Sequence, residues 1–213
     1  MLRLRTLLLV LLAILFTGAN AHADTILFAT LTNGQENPPV DPSPRPASFG
    51  FATFVLNDAR TAMTFTATIF NIDVTGTQTP GTSDNLIAAH IHAGPNVTPT
   101  TNGPVVWGFF GAPFNDNNPN DMILIPFSAG SGLVGGVFIG KWDAPEGNNT
   151  TLTAQLDNIL SGRAYINFHT VQFGGGEIRG AINVVPEPAT MLLLGTGLAG
   201  VALRARRRKD RKN

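Results

Sequence analysis

The sequence predicts an all-β domain, an antiparallel Greek-key sandwich of about eight strands with one short helix. Three observations lead there. The chain holds 23 glycines and 15 prolines, which cut it into short apolar runs where Thr, Phe, Val and Ile recur. Runs of that composition between turn residues read as strands. Several of them also alternate apolar and polar residues with a period of two, as a strand with one buried face does. Helical spacing, by contrast, marks a single stretch of the body, Thr151 to Leu160.

Taken in order, residues 1–23 read as a secretory signal helix. Arg3 and Arg5 give a positive start, Leu7 to Phe16 is an apolar run, and Ala21-His22-Ala23 is a small-x-small cleavage site. The expected domain spans 24–184. Its first strand is Ile26–Leu31, followed by Asn33-Gly34-Gln35-Glu36-Asn37-Pro38-Pro39-Val40 and a proline-spaced loop that cannot lie inside a sheet. Gly50–Leu56 and Ala62–Ile72, joined by the turn Asn57–Arg60, form a hairpin. Leu86–Ala93, Val105–Phe110 and Met122–Phe127 are further strands. Gly130 to Gly140 reads as a glycine-rich loop or insertion; it lacks the Lys-Ser/Thr pair of a phosphate cradle. Leu152, Leu156, Ile159 and Leu160 fall on one helical face, with Thr150 or Thr151 to cap the start and Gly162 to close the end. Ala164–Thr170 and Glu177–Val184 form the last hairpin.

The chemistry concentrates in three of these strands. In Ala88-Ala89-His90-Ile91-His92-Ala93-Gly94, alternation turns Ile87, Ala89 and Ile91 inward and His90 and His92 to the other face. The same parity turns Ile166 and Phe168 inward and Tyr165, Asn167 and His169 outward. In the third strand Ile178 and Ile182 are buried while Glu177 and Arg179 face the polar side. The expected result is one polar wall of His90, His92, Asn167, His169, Glu177 and Arg179. Imidazole nitrogens are good ligands for Cu(II) and Zn(II), so His90, His92 and His169 are candidate ligands of one ion. Glu177 would then orient a ligand histidine, and Arg179 would attract an anion. The alternative is a structural hydrogen-bonding cluster, with Glu177 and Arg179 pairing with each other or with polar neighbours. Trp107 and Trp142 read as core or rim, with Trp142 also open to stacking on a saccharide.

Residues 24–183 carry five basic and twelve acidic side chains, a net charge of −7, so nucleic acid is not an expected partner. The chain has no cysteine, which excludes disulfides, thiolate zinc sites and thiol catalysis. From residue 185 the character changes. Pro186-Glu187-Pro188 precedes an apolar run, 189–203, and a basic tail, 204–213. The run is shorter than the roughly 20 residues that comfortably span a bilayer, yet its arginine end fits a short transmembrane helix with that end in the cytoplasm.

Two resemblances follow from these residues. Pro186-Glu187-Pro188, the apolar run and the arginine cluster resemble the PEP-CTERM sorting signal of Gram-negative bacteria. That resemblance implies export through the secretion machinery, recognition by an exosortase-type membrane protease, and association with extracellular polysaccharide or a biofilm matrix. Leu31–Pro39, Gly50–Phe54, Ala89–Gly94, Tyr165–Thr170 and Gly176–Gly180 together resemble a CHRD domain, the domain named from chordin. Chordin's growth-factor binding does not carry over, because its cysteine-rich modules are absent. A more distant likeness is to Cu/Zn superoxide dismutase, a Greek-key sandwich with a His-x-His strand, a later strand histidine and a late arginine. His90, His92, His169 and Arg179 follow that order, but the bridging histidine, zinc loop and disulfide cysteines have no counterpart.

Three functions are weighed. The first, ranked highest, is an exported cell-surface or extracellular-matrix module that binds or builds, for which nothing catalytic is required. The second is a Cu or Zn protein. The third is a hydrolase, placed last because no Gly-x-Ser-x-Gly turn and no paired-carboxylate pattern occurs.

Overall fold

The computed structural model describes residues 23–186 and 195–201. The expected signal helix lies outside the described residues apart from Ala23, as do Glu187, Pro188 and most of the apolar run. Residues 195–201 are helical and exposed. No helix among the described residues is long and apolar enough to cross a membrane.

The body is β throughout, with one α-helix and one 3-10 turn, Asn33–Gln35. Ten strands are present among the described residues: β1 (Thr25–Thr32), β2 (Phe49–Leu56), β3 (Ala62–Phe70), β4 (Leu86–Ala93), β5 (Val105–Gly111), β6 (Ile123–Pro126), β7 (Gly135–Asp143), β8 (Ala164–Thr170), β9 (Ile178–Ala181) and β10 (Asn183–Val184). They pair antiparallel in the order β5-β4-β8-β9-β1-β2-β3-β7-β6, with β10 also on β1. The sheet curls so that its two ends face each other, as in a sandwich. Aromatic contacts across the gap prove the closure: Trp107 of β5 stacks on Trp142 of β7 with centroids 5.5 Å apart, and Phe168 of β8 meets Phe138 of β7 edge-on at 5.3 Å. Both tryptophans have no exposed surface, so Trp142 is core and offers no saccharide platform. The edge strand β6 is short and ends on Pro126, which blunts it against further pairing. Among the described residues, every strand and every core residue lies between Thr25 and Val184, so this stretch holds a core of its own.

Two features explain why ten strands replace the expected eight. The last strand breaks at Ile182 into β9 and β10. The glycine-rich stretch read as a loop contains β7, which pairs with β3 along its whole length. Its glycines mark close approaches rather than a loop. A Cβ at Gly140 would lie 2.8 Å from the Phe65 ring, and one at Gly136 would lie 2.8 Å from the Ile125 carbonyl. Phe138 and Trp142 between and beyond them fill the core.

The helix α1 (Leu152–Leu160) forms where its spacing placed it. Thr151 caps it by accepting from the Ala154 N–H at 3.2 Å, and Gly162 closes it at φ +71°. Leu152, Leu156 and Ile159 are its buried face.

Candidate metal centre

The strands β4, β8 and β9 are neighbours, which brings the chemistry of the sequence together. Asn167 stands opposite His90 on one side and Arg179 on the other, while His92 stands opposite Tyr165 and His169 opposite Ala88. A register shift between Leu86 and Ala88 interrupts the alternation. Ile87, expected inward, is therefore 44% exposed. Past the shift, Ala89 and Ile91 are core as parity requires.

The polar wall is not open to solvent. His90, His92, Asn167, His169, Glu177 and Arg179 are all buried. Loops fold over the outer face of this half of the sheet, and each delivers one backbone carbonyl to one histidine. Gly103 O lies 2.9 Å from His92 Nδ1, Ala112 O lies 3.0 Å from His90 Nε2, and Gly174 O lies 3.1 Å from His169 Nδ1. A carbonyl only accepts, so each of these ring nitrogens carries the proton. In the neutral rings the other nitrogens, His90 Nδ1, His92 Nε2 and His169 Nε2, are left as lone pairs. His90 Nδ1 and His169 Nε2 face each other at 3.3 Å. His92 Nε2 is buried with no hydrogen-bond partner. One nitrogen from each ring lies within 4.8 Å of the others.

Burial keeps the rings neutral. It pushes His90 and His92 down to about 4; for His90 the neighbouring His169 adds to the shift, while the Ala112 and Gly103 carbonyls oppose it. His169 is lowered by burial as well, against the pull of the Gly174 carbonyl. Without a proton to share, two facing lone pairs do not make a hydrogen bond. Two nitrogens at about 3.3 Å are what a tetrahedral ion with metal–nitrogen bonds of about 2.0–2.1 Å needs. The His90–His169 pair already meets that spacing, with a ring nitrogen of His92 within 4.8 Å of both.

The remaining members of the wall hold the frame. Tyr165 stacks on His92 with centroids 4.6 Å apart and planes 6° from parallel, and Arg179 lies 4.6 Å from the Tyr165 ring centre. The Tyr165 hydroxyl accepts from Gly103 N–H, which steadies the carbonyl that His92 uses. Arg179, expected to attract an anion, instead donates from all three guanidinium nitrogens to Gln35 O, Asn102 Oδ1 and Pro99 O, clamping the two loops together. Glu177, expected to orient a histidine, instead receives Arg45 at 3.0 and 3.1 Å, Thr170 Oγ1 at 2.5 Å, and Ser48 Oγ. The two do not pair with each other, and orientation of the histidines falls to backbone carbonyls. Asn167 keeps a buried Oδ1 without a hydrogen-bond partner. Beside it sits Glu36, read from sequence as part of a turn; burial raises its carboxyl to about 7 against the opposing charge of Arg179.

These three strands fall within one family match. The model of the CHRD domain covers residues 27–182. The chain belongs to the CHRD domain family. The CHRD domain thus contains His90, His92 and His169, the three carbonyls that hold them and the clamping Arg179. A second model, the PEP-CTERM protein-sorting motif, covers residues 184–208 and follows the CHRD domain directly. It marks the protein for export and sorting to the cell surface, with an exosortase as the partner that recognises it. No curated protein and no solved structure matches the chain.

Proposed function

We propose that the CHRD domain is a surface-displayed metal-binding module that holds one Cu(II) or Zn(II) ion through His90, His92 and His169. One observation carries the proposal: three buried rings, each fixed by a backbone carbonyl, bring one nitrogen each within 4.8 Å of the others, and the nitrogens left over by the carbonyls have no donor. Buried acceptors without donors are costly unless a ligand takes them up. Three protein nitrogens leave a coordination position for water or a small ligand, the arrangement of open zinc and copper sites. The module works in the extracellular polysaccharide or biofilm matrix, after removal of the signal at Ala23 and of the tail near Pro186-Glu187-Pro188. The buried Trp142 counts against a saccharide-stacking role for that residue.

Calorimetric titration of tag-free residues 24–185 with Cu(II) and with Zn(II) at neutral pH tests the proposal. One site per chain is expected, lost in the His90→Ala/His92→Ala double variant. Equal uptake by variant and wild type would reduce the cluster to a structural one.

A further inference from the structure

The two outer faces of the curled sheet are treated differently. Loops cover the β4-β8-β9 face and bury the histidines. The other outer face, across β1, β2, β3, β7 and β6, is open to solvent among the described residues. An antiparallel sheet with a solvated face normally carries polar and charged residues there. Here the register lines up Phe28, Thr53, Thr66, Ile139 and Ile123 in one row across all five strands. Phe28 is 42% exposed, Ile139 37% and Ile123 54%. The next row, two residues along, runs from Thr30 through Phe51 to Ile125 and is equally uncharged. The first charge appears at the end of the face, where Lys141 is tied to Asp121 at 2.9 Å and Asp143 at 3.0 Å. Single exposed apolar side chains are ordinary; two uncharged rows across five strands form a contiguous patch of the kind that marks an interface.

We propose that this face is the interface of a homodimer, two CHRD domains placed sheet against sheet. Three arguments select a second copy. Residues 24–183 have a net charge of −7, yet this face is neutral, so it offers nothing to a basic or acidic partner and is a broad surface on which two acidic domains meet without facing charges. Five strands at about 4.8 Å spacing and roughly 25 Å of strand length give a face on the order of 600 Å², comparable with one side of a standard interface. Face-to-face sheets pack with strands nearly aligned. A two-fold axis along the strands then sends both Val185 ends out on the same side. Val185 N–H bonds Ile26 O at 2.9 Å at the edge of this face, so both C-terminal tails enter one membrane during sorting. Confinement to that membrane raises the local concentration of each copy around the other.

Sedimentation equilibrium of residues 24–185 across the micromolar range, without added metal, tests this independently of the histidines. A dimer is expected, at least tenfold weakened by Thr66→Lys at the centre of the face and unchanged by Val171→Lys, which is exposed in the loop after β8. Far-UV circular dichroism and the melting temperature confirm that both variants stay folded. A monomeric wild type, or equal loss in both variants, overturns the proposal. A monomer that binds neutral polysaccharide and loses that binding in Thr66→Lys would assign the face to a glycan instead.

Discussion

Glu177 is a carboxylate with no exposed surface, 132 residues along the chain from its cation, Arg45. As an exposed pair with Arg179 it would contribute about 0–1 kcal/mol. Buried and held by Arg45, Ser48 and Thr170, it belongs to a different class. Removing one partner of a buried pair leaves an uncompensated charge, which costs about 3–5 kcal/mol. Arg45→Ala is therefore expected to lower unfolding stability by about that amount, read by urea denaturation. Glu177→Gln should cost less, because a neutral amide keeps partners in Ser48 and Thr170. If the two variants rank the other way, Arg45 is not the partner that holds Glu177 in place.

Among the elements, β5 is the one on which the histidine geometry turns. Gly108 lies opposite His90 in the β4–β5 pairing. A Cβ there would lie 1.8 Å from Pro113 O and 3.0 Å from His90 Cδ2. Gly108→Ala thus pushes the loop carrying the Ala112 carbonyl away from the ring it orients. Loss of such an orienting partner weakens metal binding by about 10–100-fold. Competition with a chelator should show that loss in Gly108→Ala. Thr151→Ala, which removes the cap of α1, should cost about 1 kcal/mol of stability and leave metal affinity unchanged. Equal metal affinity in both variants would dismiss the carbonyl as the orienting group.

For the whole molecule, two sets of buried groups pull stability in opposite directions with pH. His90 and His92 titrate near 6.5 when unfolded and near 4 when folded. Between those values the unfolded chain binds more protons, so stability falls as pH drops from about 6.5 toward 4. Glu36 moves the other way, from 4.5 to about 7, and Asp116 from 3.8 to about 6 through burial and the charges of Glu146 and Asp121. There the folded chain binds more protons, so stability rises as pH drops through the same window. The wild type is expected to show a shallow profile between pH 4.5 and 6.5 because the two sets oppose each other. Glu36→Gln removes the larger opposing contribution and should make stability fall more steeply on acidification, as read from the melting temperature against pH. An unchanged slope would mean that Glu36 does not hold its proton in the fold.

What the sequence determined by itself is whatever repeats locally. Composition and alternation placed eight strands and turned His90, His92 and His169 to one face; the spacing in 151–160 placed α1 with a cap at Thr150 or Thr151; and the tripeptide, apolar run and arginines marked the sorting tail. What only the tertiary structure decided depends on neighbours far away in the chain. The carbonyls of Gly103, Ala112 and Gly174 fix the histidine tautomers, and a carbonyl has no sequence signature because every residue owns one. The glycines of β7 read as loop until Phe65 and Ile125 are seen against them. The register shift that exposes Ile87, and the Arg45 that claims Glu177, are likewise set by which strand or loop arrives alongside. Side-chain direction is a property of one strand's backbone, whereas burial is a property of whatever covers it.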